Sequence, residues 1–228
     1  MGRHPTLDTD FQAHHLNDNI ETMILNLIRG AHINGLKGMT VVSKKTHLLR
    51  PMLGITKKEI LAYLQKNHLP FCEDSSNQDT DFSRNWIRKN IIPNFSKINP
   101  SFEKTFKETL HNLTQTSQYL EQSCADWLKK NAEEFQKEFH IELDTFLQEH
   151  LAFQKQLLTH LYTSHHRSTK KLTNKHLNEI LETLHLRQAN KKKEFGPQTF
   201  IEIFSKTVDT SKSRTKKALR YIRLINKK

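Results

Sequence analysis

Glycine is scarce in this 228-residue chain, occurring six times, at positions 2, 30, 35, 38, 54 and 196. None of these falls into the clustered patterns GxxxxGK(S/T), GxGxxG or SGG. The sequence therefore holds no glycine-rich loop able to wrap a triphosphate. Cysteine is scarcer still: Cys72 and Cys124 stand far apart and form no CxxC. That excludes a disulfide framework and points to a reducing compartment, with the cytoplasm as the expected location. Hydrophobic residues make up 35% of the chain, and no apolar run approaches a membrane span. The opening stretch MGRHPTLDTDF has no apolar core of an export signal.

What is abundant is positive charge. The net charge is +12, and residues 170–228 carry 16 Lys/Arg against 5 Asp/Glu, a net +11. Residues 1–100 are only mildly basic, and residues 101–169 are acidic. A basic segment this concentrated suits a polyanion such as RNA, through phosphate neutralisation, and is equally what a solvated surface looks like.

The stretch His14 to Gly30, HHLNDNIETMILNLIRG, organises the first part of the chain. Ile20, Ile24, Leu27 and Ile28 recur at helical spacing with Met23 beside them, and Gly30 sits where a helix stop belongs. Asp18 and Glu21, three apart, share a side away from that stripe. Two carboxylates behind a His pair could hold a cation, an amine or a metal ion. The same residues also fit a capping box in which Asp18 caps and Glu21 reaches back. A metal site at His14, His15 and Asp18 has no further ligand spacing behind it, and none is expected.

Farther on, Val41 and Val42 form a short apolar piece, and Arg50-Pro51 introduces a helix opened by a Thr56–Glu59 capping box, with Ile60, Leu61 and Leu64 as its buried face. Glu73 to Asp81 reads as a surface loop, and a short helix from Phe82 should end before Pro93. On that helix Arg84 and Arg88 are i, i+4 neighbours, suited either to clamping phosphate or to a solvated face tied to Asp79 or Asp81. From Phe102 a long helical repeat runs through Leu110, Leu120 and Trp127 towards Phe135 and Phe139. Two more helices are expected near Asp144–Thr163 and Thr173–Leu186, with His165-His166 in a polar loop. TFIEIF and ALRYIRLIN read as the two strands of a basic hairpin.

Two of these segments together resemble the tRNA(Ile)-lysidine synthetase family. HHLNDNIET with ILNLIRG is similar to its HHxxDQxET and LxRLLRG signature, with Asn19 in place of the usual Gln. The run from RPMLGITKKEI to FSRNWIRKNIIP resembles its RPLL block, the following helix and its DxSNxDxxFxRNxIR block. Order and spacing agree over roughly residues 12–100. The resemblance implies a mostly α chain: the helical remainder of an ATP-pyrophosphatase-type α/β catalytic domain (1–100), a helical domain (101–190) and a small basic β-hairpin region (191–228). It implies ligation of free L-lysine to C2 of the wobble cytidine of isoleucine tRNA with a CAU anticodon, through an adenylated intermediate, using ATP and Mg²⁺. By match, Asp18, Glu21 and His14 are the expected catalytic residues. Arg84, Arg88, Asn85 and Arg29 are the expected substrate- or phosphate-binding residues.

One departure is large. Family members carry an SGGxDS loop that the glycine positions here rule out, so the chain resembles a synthetase without its nucleotide-binding half. It is expected to be inactive alone, with a partner or a preceding segment supplying the loop. The alternative is a non-catalytic basic helical module that binds tRNA or docks on a partner. A tRNA-thiolating relative fits poorly, because Cys72 and Cys124 are not paired.

Overall fold

The computed structural model describes residues 9–43, 47–71, 82–135, 138–166, 172–196, 199–209 and 216–226. Cys72 and the expected loop with Asp79 and Asp81 lie outside these residues. The chain forms two compact units, residues 1–118 and 119–228. It is mostly helical with two sheets. No helix among the described residues is long and apolar enough to cross a membrane.

In the first unit, β1 (Asp10–Phe11) leads into α1 (Leu16–Ile28). The helix stops where the sequence says it should: Arg29 is the C-cap, and Gly30 takes the left-handed conformation with φ +75°. After α2 (Ile33–Leu36) come β2 (Val42–Ser43) and β3 (Leu48–Leu49). β3 pairs in parallel with β1 and antiparallel with β2. α3 (Lys57–Lys66) opens with the expected box: Thr56 Oγ1 accepts from Glu59 N at 3.1 Å, and Thr56 N donates to Glu59 Oε2 at 2.7 Å. Its apolar residues Ile60, Leu61 and Leu64 are only half-buried.

Pro93 does not end the next helix. α4 (Phe82–Trp86) passes into a π-helical turn (Ile87–Ile91) and then into α5 (Ile92–Ile98), with Pro93 in its first turn. A proline donates no hydrogen bond and crowds the preceding turn, and the widened turn accommodates both. The core joins α1 residues Leu16, Ile20, Ile24 and Leu25 to Ile87, Phe102 and Leu110. Leu27 and Ile28, expected on that buried face, are exposed. The 13-residue helix outruns the elements that cover its first three turns.

α6 (Phe102–Asn131) continues into the second unit, whose other elements are β4 (Ala132–Phe135), β5 (Glu138–Glu142), α7 (Leu143–Leu147), α8 (Leu151–His166), α9 (Asn174–His185), β6 (Lys192–Gly196), β7 (Thr199–Asp209) and β8 (Lys216–Asn226). The expected hairpin exists as β7 and β8, but it sits inside a five-stranded sheet of order β4-β5-β8-β7-β6. Phe135 and Phe139 therefore belong to strands and not to the long helix. Around His140, polar and apolar residues alternate (Phe139, Ile141 against His140, Glu142), a period of two that competes with the helical repeat. His165 and His166 close α8 instead of lying in a loop. One sheet face packs Ile141, Ile201, Ile203, Ile222 and Leu224 against α8 and α9.

Candidate functional site

Asp18 occupies the third position of α1, not its cap. The cap is His15, whose backbone N donates to Asp18 Oδ2 at 2.9 Å. The capping box thus starts one turn earlier than expected, because Leu16 is already buried and helical. That shift releases Glu21 from capping.

Glu21 is buried, and a buried carboxylate must be paired. Its partner is Arg88 from the π-helical turn: Nε donates to Oε1 at 2.7 Å and Nη2 to Oε2 at 3.0 Å, a fork that occupies both oxygens. The same Nη2 stands 3.8 Å from Asp18 Oδ1. These hydrogen bonds hold the Arg88 guanidinium charged further above its ordinary range. Arg84 docks one step along α1, with Nη2 3.3 Å from Thr22 Oγ1, which in turn donates to the Asp18 carbonyl at 2.8 Å.

Asp18, Glu21 and Arg88 line a cavity of about 290 Å³ together with Ala13, His15, Asn17, Lys57 and Ile92. Both signs of charge face it, carboxylates from α1 and cations from Arg88 and Lys57. Its size lies at the small end for ligand cavities. Asn17 fixes the Lys57 wall by accepting from the Lys57 backbone N at 2.9 Å.

Not every expected residue gathers here. His14 precedes the cap half-buried, and its Nδ1 is buried without a hydrogen-bond partner among the described residues; it does not line the cavity. Asn85 is half-buried beside Arg84 on α4. Arg29 is exposed at the far end of α1, about 16 Å along the helix from Asp18. Asn17 and Lys57 were missed, since no spacing in the sequence joins position 57 to position 18.

Among the described residues no group of three or more His, Cys, Asp or Glu could hold a metal ion. Both Glu21 oxygens are committed and the sequence has no clustered glycines, so the residues present do not by themselves fit an ATP–Mg²⁺ complex.

A family model described as the PP-loop domain matches residues 7–95. The tRNA(Ile)-lysidine synthase of Porphyromonas gingivalis is 40% identical over 115 residues, covering 50% of this chain and 25% of that protein. The Bacillus subtilis enzyme of the same name is 37% identical over 120 residues, covering 52% and 25%. The bifunctional protein TilS/HprT of Listeria innocua is 32% identical over 178 residues, covering 75% and 27%. The chain spans about a quarter of the length of these relatives. With these matches, the chain belongs to the tRNA(Ile)-lysidine synthase family.

Proposed function

We propose that this chain supplies the lysine-binding side of a tRNA(Ile)-lysidine synthase, the ligase that joins lysine to C2 of the wobble cytidine in isoleucine tRNA with a CAU anticodon, with adenylation of C2 by ATP preceding attack. The observation that carries the reading is the two-signed cavity at Asp18, Glu21 and Arg88. Free lysine brings two ammonium groups and a carboxylate, and a cavity with both signs on its walls suits it. Glu21 is spent on Arg88, so Asp18 is the carboxylate left to meet an amine, through the Oδ1 whose nearest cation is 3.8 Å away. Asp18 would hold the ammonium and could accept the proton lost on attack. Glu21 would act through Arg88, fixing where that cation points. Residues 1–100 would form the helical part of the catalytic domain, with 101–190 a helical domain and 191–228 the basic hairpin region. ATP would need a cradle from outside these 228 residues, and the chain alone would form no lysidine.

Titration of L-lysine into the chain tests this by calorimetry. Binding should weaken at least tenfold in Asp18→Asn, and norleucine, which lacks the ε-amine, should bind worse than lysine. Equal binding of norleucine and lysine would sink the assignment. The second reading, a non-catalytic tRNA-binding or partner-docking module, draws on the net +11 of residues 170–228. Under it, changing Asp18 and Glu21 to Ala leaves tRNA affinity unchanged or slightly improved.

A further inference from the structure

A second opening, of about 430 Å³, lies against the other face of α1, at Leu16 and Asn19. At 100° per residue, that pair and the Asp18–Glu21 pair look in nearly opposite directions. One side of the groove is the segment after α2. It is held down by Asn19, whose Oδ1 accepts from Met39 N at 2.7 Å. That approach needs Gly38: its φ is +69°, and a Cβ there would meet Asn19 Oδ1 at 2.2 Å.

The other side is α6. Lys107, His111, Thr114 and Gln118 follow one another at helical spacing, so one stripe of the helix turns polar and faces an opening instead of a core. Val41, Val42, Leu53 and Leu110 supply the apolar wall. Among the described residues no Asp or Glu lines the groove, whereas Lys37, Lys107 and His111 do. Lys107 Nζ rests on the Gly54 carbonyl at 2.8 Å, a neutral acceptor that leaves its charge in place. Glu59 lies near enough to feel Lys107, but its Oε2 is committed to the Thr56 backbone N and hydroxyl.

An apolar wall, cations without lining carboxylates, and an amide that both donates and accepts match one kind of ligand. We infer that this groove binds a single nucleotide, the base against Val41, Leu53 and Leu110, the phosphate at Lys107 and His111, and a base edge or sugar at Thr114 and Gln118. Its volume falls within the ordinary range for such ligands. The site is separate from the amino-acid cavity, so either assignment can fail without the other.

The test titrates uridine 5′-monophosphate, uridine and the oligonucleotide UUUU into the full chain by NMR or calorimetry. Uridine 5′-monophosphate should bind, and the double variant Lys107→Glu, His111→Glu should lose at least tenfold in affinity. Thr114→Phe fills the groove and should lose as much. Thr114 Oγ1 bonds back to the Leu110 carbonyl of its own helix at 2.7 Å, a bond the helix does not need, so that change spares the helix. Far-UV circular dichroism checks that both variants fold. Tighter binding of UUUU would place the nucleotide within a strand, and equal binding would identify a free one; both sustain the inference. Absence of binding up to about 10 mM, uridine binding as well as its monophosphate, or unchanged affinity in both variants would overturn it.

Discussion

The chain twice buries a glutamate paired to a half-exposed arginine and surrounds it differently. In the first unit Glu21 is forked by Arg88 with one contact per oxygen, at 2.7 and 3.0 Å. In the second, Glu202 receives both Arg223 nitrogens on Oε2, each at 2.8 Å, and Lys192 on Oε1 at 3.3 Å. Glu202 thus has two cations on neighbouring strands of a sheet. Arg223 also lies over the Phe204 ring, 4.8 Å from its centre. Among the described residues Glu21 has one cation, and that cation is shared with Asp18 beside a cavity. A carboxylate with surplus partners is finished architecture. A pair with a second carboxylate next to it and open space in front still has binding capacity.

The largest test of that difference is removal of each arginine. Arg88→Ala leaves Glu21 buried and unpaired and should cost about 3 kcal/mol, the low end for a broken buried pair because Arg88 itself is 44% exposed. Arg223→Ala leaves Lys192 in place and should cost about half as much. Trp86 lies in the first unit and Trp127 in the second, so urea unfolding in Trp127→Phe and Trp86→Phe backgrounds reads each unit separately. If Arg223→Ala costs as much as Arg88→Ala, the contrast is wrong.

The next effect is on ligand binding. Asp18→Asn should weaken lysine binding at least tenfold, about 1.4 kcal/mol, while Glu202→Gln should leave it alone. Weakening by both variants would mean that lysine follows overall charge and not the cavity.

Local signals in the sequence carried much of this and then ran out at the long-range ones. Gly30 ended α1, Thr56 and Glu59 opened α3, and alternation in TFIEIF and ALRYIRLIN made strands, because each depends on residues a few positions apart. The fork between Glu21 and Arg88 spans 67 positions, and no spacing encodes it. The box at Asp18 was misplaced by one turn because the polar run HHLNDN offers several caps, and only burial of Leu16 selects His15. Arg84 and Arg88 read either as a clamp for phosphate or as a solvated face tied to Asp79 or Asp81, since nothing in the sequence reveals that Thr22 and Glu21 take them up.

A smaller asymmetry appears at alkaline pH. Burial pushes the Cys124 thiol from its ordinary 9.0 up to about 12, and burial also raises Tyr162 and Tyr221. All three lie in the second unit. Below pH 9 folded and unfolded thiols both keep their protons. Above it the unfolded chain loses its proton first, so stability falls as pH rises from 9 towards 12. At pH 10 the Cys124 share is about 1.4 kcal/mol. The urea midpoint of the second unit should drop between pH 8 and pH 10, and Cys124→Ala should flatten that slope. An equal drop in the first unit would remove the asymmetry.

The smallest effect concerns the lysine run before β7, where pairing again decides what is available. Lys193 Nζ is 2.9 Å from Glu179 Oε2, a contact that holds the Glu179 carboxyl below its usual range, and Lys192 is tied to Glu202. Lys191 is exposed, with no ion pair to either glutamate. If this segment meets RNA, Lys191→Ala should cost about threefold in tRNA affinity and reduce the salt slope by about one, the share of one phosphate contact. Lys193→Ala should cost less, because Glu179 already neutralises that charge. Glu179→Gln should do the opposite, freeing Lys193 and raising affinity about twofold. Filter binding at two salt concentrations separates these cases. No loss from either Lys191→Ala or Lys193→Ala would mean that RNA does not read this run, and equal losses with no gain from Glu179→Gln would mean that pairing with Glu179 does not decide which lysine RNA meets.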